Sequence, residues 1–169
     1  DKLSPTFFEK EEDIRPLFHD QLEACGVEYF DFYLMHAMSA SRWDKYVQSR
    51  AYEIALELKA EGKIRHLGMS FHDTADILDM ILTEQPQIEA VQLQINYLDY
   101  DDPTVQSKKC YDVAVKHGKK VIVMEPVKGG ALAVVPEDVE KIFREHSPDL
   151  SVPSWAIRFA AGLEGVFMV

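Results

Sequence analysis

What the 169-residue sequence has little of narrows the field first. It has two cysteines, Cys25 and Cys110, far apart and in no zinc or redox spacing. Basic residues are scarce, with 18 Lys and Arg against 29 Asp and Glu, a formal net charge of -11. That balance argues against nucleic acid or an anionic membrane as the main partner. It leaves room for a phosphorylated cofactor, which needs only a locally positive pocket. No apolar run approaches a membrane span, and the opening DKLSPTFF does not read as a secretory signal. Few cysteines and no such signal place the expectation in a reducing, cytoplasmic setting. Also missing is a GxGxxG or Walker loop after any strand, which weakens a doubly wound nucleotide fold.

What is there centres on Tyr29-Phe30-Asp31-Phe32-Tyr33-Leu34-Met35-His36, an aromatic and aliphatic run ending at a histidine. It predicts a strand buried on both faces, with Phe30, Phe32, Leu34 and His36 on one of them. Before it, a stub at 1–4 leads to a helix starting at Glu11-Glu12-Asp13 and capped by Gly26. After it come a helix over Tyr46–Glu61, a strand at 64–71 and a helix at 74–84. A strand at 89–96, a helix over about 103–117 and a strand at 120–124 follow. Helices over 136–145 and 153–161 precede a last strand at 165–169. This alternation means βαβ units and a parallel sheet, and the missing phosphate loop favours a barrel. Six strands are present, so residues 1–169 predict one incomplete α/β domain, a (β/α)8 TIM barrel lacking two of its eight units.

Barrel chemistry gathers at the C-terminal strand ends. Those positions hold Lys2, His36, Ser70 with His72, Gln92 to Asn96, and Met124 with Glu125. They are polar, suited to proton transfer and rich in amides, which fit a planar carboxamide better than a metal. A metal-dependent barrel hydrolase using His36, His72 and Glu125 is an alternative, although no HxH or HxxE pair appears. A non-catalytic barrel subunit is another.

In this setting several motifs resemble the aldo-keto reductase superfamily, in order and at matching intervals. Lys2 in DKLSP resembles the lysine ending the family's third strand, and FDFYLMH, ending at His36, the fourth-strand motif with the catalytic histidine. GKIRHLGMSFHD (62–73) is similar to the fifth strand, VQLQINYLD (91–99) to the sixth, and VIVMEPVKGGAL (121–132) to the seventh and its loop. MEPVKGG and SFHD are closest to a bacterial and archaeal branch, some members of which carry a C-terminal iron–sulfur segment.

The resemblance implies reduction of a small carbonyl substrate by hydride from NADPH, with NADH possible, and no metal. Family chemistry uses a tyrosine acid, a lysine that lowers its pKa, an aspartate that holds the lysine, and a histidine that orients the carbonyl. Lys2 and His36 match the lysine and histidine; the tyrosine and aspartate would fall before residue 1. Ser70 and Gln92 match positions that hold the nicotinamide carboxamide. Met124 stands where many members stack an aromatic ring on the nicotinamide, and Phe71 where many have asparagine. Lys128 and Gly129 are candidates near the pyrophosphate. The physical logic agrees: a phenol near pKa 10 is a poor acid at neutral pH unless an ammonium stabilises the phenolate.

Overall fold

Six parallel strands alternate with seven helices in the computed structural model, which describes residues 1–169. The strands are β1 (Lys2–Leu3), β2 (Phe30–Met38), β3 (Ile64–Phe71), β4 (Ala90–Gln94), β5 (Lys120–Met124) and β6 (Val166–Met168). They pair in chain order from β1 to β6, and the sheet stays open. This is the expected barrel with two units missing.

The helices are α1 (Glu11–Cys25), α2 (Ala40–Gln48), α3 (Ala51–Ala60), α4 (Ala75–Glu84), α5 (Ser107–Lys116), α6 (Glu137–His146) and α7 (Val152–Ala161). The single helix expected over 46–61 is therefore two. Ser49 folds its hydroxyl onto the Lys45 carbonyl at 2.7 Å, and Arg50 adopts a left-handed conformation at φ 52. No glycine or proline marks this break. Arg50 is held there by an ion pair with Glu11 on α1. The helix expected over 103–117 likewise begins only at Ser107.

Register sorts the side chains into rows. Met35, Met69, Val91 and Val121 lie side by side and are fully buried on the convex face, under the helices. Lys2, Leu34, Gly68 and Ala90 form a row on the concave face, with Ser70 and Gln92 one step further along it. The sheet curls so far that Phe32 on β2 meets Phe167 on β6, ring centroids 5.3 Å apart, and stacks on His66. The β2 run is less buried than expected: Asp31 is exposed, while Phe32 and His36 are half-buried on the open concave side. A closed barrel would cover them; six strands do not.

The convex core carries the aromatic load. Tyr33, Tyr46, Tyr52, Phe8 and Phe18 are fully enclosed, with Phe18 edge-on to both Phe30 and Tyr33. No helix is long and apolar enough to cross a membrane.

Candidate active site

β2 does not stop at His36. It runs on to Met38 through a bulge, where Ala37 takes φ 55 and the pairing with β3 shifts register. A left-handed alanine costs roughly 1–2 kcal/mol, and bulges beside active sites re-aim side chains. The strained turn directs the Ala37 N–H onto Ser70 Oγ at 2.8 Å. The β3 end closes back on the same segment, where the His72 N–H meets the Met38 carbonyl at 3.0 Å. His36, Ser70 and His72 are thereby fixed to one another by backbone bonds.

Tyr46 pins this arrangement to β1. Its buried hydroxyl accepts the His36 N–H at 3.0 Å and shares its single proton between the carbonyls of Leu3 at 2.7 Å and His36 at 2.8 Å. One phenol thus ties the residue after Lys2 to the backbone of His36. Nothing in the sequence assigns it that role, since Tyr46 reads as an apolar position of a helix. A Tyr46→Phe substitution strands a buried N–H and the carbonyls. It is expected to cost about 2 kcal/mol. Urea midpoints check this, and a wild-type value would contradict it.

Lys2 reaches from β1 to β4, where its Nζ donates to Gln92 Oε1 at 2.5 Å. No carboxylate accompanies it. Burial pushes the Lys2 ammonium below the ordinary lysine value, the direction that makes a lysine a better proton-transfer partner. His36 is also held below its ordinary 6.5, first by burial and then by the charges of Lys2 and Arg42. His72 shifts the same way, by burial and then by His36, Lys2 and Arg42. Both imidazoles therefore stay neutral at neutral pH.

The consequence for stability has a definite sign. Lowered folded-state values mean that the unfolded chain binds protons more readily, so these groups contribute stability above pH 6.5. That contribution is lost as pH falls through their folded values. Full-length protein should lose stability below this pH, and a His36→Asn, His72→Asn double variant should lose less over the same range. Parallel urea-midpoint profiles for the two proteins would contradict this.

The residues expected to hold the cofactor divide into two groups. Ser70 and Gln92 are register partners on β3 and β4, Gln92 bonded to Lys2 and Ser70 to the residue after His36, and both retain unused donors: the Ser70 hydroxyl proton and the Gln92 amide protons. These suit a carboxamide oxygen. Met124 ends β5, half-buried and facing the same side as Gln94. Lys128 is not free. It forms an ion pair with Asp99, which burial alone would push up but which the ammonium holds below the usual carboxylate range. Asn96, fully buried, donates to Asp99 at 3.0 Å and accepts the Leu98 and Asp99 N–H groups. The loop that follows continues as a 3-10 stretch over Lys128–Ala133, with Gly129 at φ 59 and Gly130 at φ 94. An exposed backbone in that conformation can approach a phosphate closely, as glycine permits. His36, His72 and Glu125 do not come together as a metal site; no three His, Cys, Asp or Glu side chains do. Glu125 contributes its carbonyl, to Lys128 N at 2.9 Å and to Asn96 at 3.5 Å.

Against known proteins, residues 6–168 match the model of the Aldo/keto reductase family. A search of the curated proteins found no match. Among solved structures the fold is similar to an aldo-keto reductase from a Medee basin deep-sea metagenome. The TM-score is 0.76 at 21% identity, over 99% of this chain and 58% of that one. An aldo/keto reductase of Klebsiella pneumoniae determined with NADP and acetate gives 0.73 at 17% identity, over 99% and 57%. The holo form of a Bacillus halodurans aldo-keto reductase gives 0.71 at 23%, over 99% and 59%. The chain thus spans less than three-fifths of each of these proteins.

Proposed function

Because the chain belongs to the aldo/keto reductase family, we propose that it is part of an NADPH-dependent enzyme reducing aldehyde or ketone carbonyls. The observation that carries this reading is the meeting of Lys2, His36, Ser70 and Gln92, from four strands, on one face of the sheet. Bound NADPH, or NADH in its place, would supply the hydride. Ser70 and Gln92 would hold the carboxamide of its nicotinamide ring, Met124 would pack on that ring, and the Gly129 backbone would meet its pyrophosphate. Lys128 would join there, steadied by Asp99.

The protein's own contribution is electrostatic. A neutral His36 offers an N–H to the carbonyl oxygen, a bond that strengthens as negative charge develops; such donors contribute roughly 10²–10³ in rate. Lys2 stabilises the phenolate of a neighbouring tyrosine acid, which with its aspartate partner we place before residue 1. The 169 residues alone would then be inactive. A reducing, cytoplasmic location belongs to the same reading, supported by the exposed free thiol of Cys25.

The test pairs intact mass of the natural protein with NADPH binding by nicotinamide fluorescence. A mass well above 19.3 kDa together with binding supports the reading. Failure to bind NADPH in a protein of that greater mass would sink it.

A further inference from the structure

The residue that the reductase chemistry leaves unused is Arg42, in the first turn of α2 directly after β2. Most lysines and arginines of this acidic chain lie within ion-pair distance of a carboxylate, among them Arg15, Arg50, Lys59, Arg65, Lys128 and Arg144. Arg42 has no such partner. Its Nη1 donates to the carbonyl of the strained Ala37 at 2.7 Å, which anchors the guanidinium over the end of β2. The Nε and Nη2 edge, the one that meets a carboxylate with two parallel bonds, has no protein acceptor.

The surroundings sharpen this. Asp73, the carboxylate on the adjoining β3–α4 loop, is turned to the backbone: it accepts the Ala40 N–H and the Thr74 N–H, each at 2.8 Å. It leaves Arg42 unneutralised. The charges of Lys2 and Arg42 both bear on His36 and on His72. Lys2 is engaged with Gln92 and, on the reading above, with the tyrosine acid. Cationic and imidazole groups therefore gather at the C-terminal ends of β2 and β3, and the neighbouring carboxylate, Asp73, bonds backbone N–H groups and forms no ion pair with Arg42.

We infer that Arg42, with His72 beside it, forms a carboxylate-binding subsite next to His36, and that the preferred carbonyl substrates carry a carboxylate of their own. The substrate half of this inference rests on the reductase reading; the anion site does not. The carbonyl would lie at His36 and the carboxylate at Arg42, so that the free anion supplies the counter-charge the fold omits. A bidentate, charge-assisted pair at a partly exposed site is worth about a tenfold preference.

The experiment uses the full-length protein in two arms. In the first, NADPH-dependent reduction of succinic semialdehyde is compared with that of butanal, a neutral chain of equal length. The wild type should favour the acid. Arg42→Gln should shrink the ratio of the two kcat/KM values at least tenfold, mainly through KM for the acid, and Arg42→Lys should restore part of it. In the second arm, the imidazole titrations of His36 and His72 are followed by NMR with butyrate or butanol. Butyrate should raise both in the wild type and leave both unmoved in Arg42→Gln, while butanol should do neither.

Equal handling of the two aldehydes together with no butyrate effect would overturn the inference and mark Arg42 as a solvated surface residue. If neither aldehyde is reduced while butyrate still moves the imidazoles, the reductase reading fails and the anion site stands.

Discussion

Replacing Lys2 by methionine in the full-length protein should lower the turnover of carbonyl reduction by roughly a thousandfold. NADPH should still bind within about threefold of the wild-type affinity. Methionine keeps most of the apolar stem of the lysine and removes the ammonium, with its charge and its bond to Gln92. In the fold that charge has one protein partner, the neutral amide oxygen of Gln92, and burial has already lowered its affinity for a proton. Such an ammonium contributes little to holding the sheet together, and much to any anion that forms beside it. A tyrosine acid near pKa 10 that loses it stays protonated at neutral pH but gives up its proton poorly, because nothing stabilises the phenolate left behind. Pre-steady-state rates and cofactor titration separate the two effects. A variant that loses cofactor binding in proportion to turnover would make Lys2 a cofactor anchor and remove it from proton transfer.

The largest expected effect on stability comes from a residue without a side chain. A Cβ built on Gly68 would lie 2.6 Å from Leu34 Cδ2 and 2.7 Å from the Ala90 carbonyl oxygen. Leu34 can rotate away, but the carbonyl belongs to β4, which is paired with β3 on one side and β5 on the other. Gly68→Ala must therefore push β3 and β4 apart at the row just below Ser70 and Gln92. The expected cost is about 3 kcal/mol, at the upper end for overpacking. Urea unfolding of the full-length variant measures it. Trimming Leu34 to alanine in the same molecule should recover only part of the loss, because the carbonyl clash remains. A Gly68→Ala protein within about 0.5 kcal/mol of the wild type would show that the sheet yields there at little cost.

These two residues mark what a sequence can disclose. Gly68 and Lys2 sit in two of six strand segments, and the alternation of those segments with helical patterns leads directly to a parallel sheet. The row holding His36, Ser70 and Gln92 follows from period-two spacing once the strands are aligned. The bulge at Ala37 was not legible, because alanine carries no preference for a left-handed turn and only the bonds to Ser70 and Arg42 stabilise it. Nor was the break at Arg50, which rests on an ion pair to a distant helix. Tyr46 was hidden for the same reason: its helical position signals burial, while its hydroxyl partners on β1 and β2 are set by tertiary packing. The sequence offers Lys128 as a candidate near the pyrophosphate, and its pairing with Asp99 emerges only when the loops after β4 and β5 are brought together.

The most direct test of the account is the fate of the hydride. Full-length protein would be mixed with a short aldehyde and NADPH deuterated at the reactive carbon of the nicotinamide ring, and the alcohol formed would be analysed by mass spectrometry. One deuterium is expected on the carbinol carbon, at a rate that collapses in the Lys2→Met variant. Alcohol formed without deuterium, or no alcohol from protein that demonstrably binds NADPH, would contradict it.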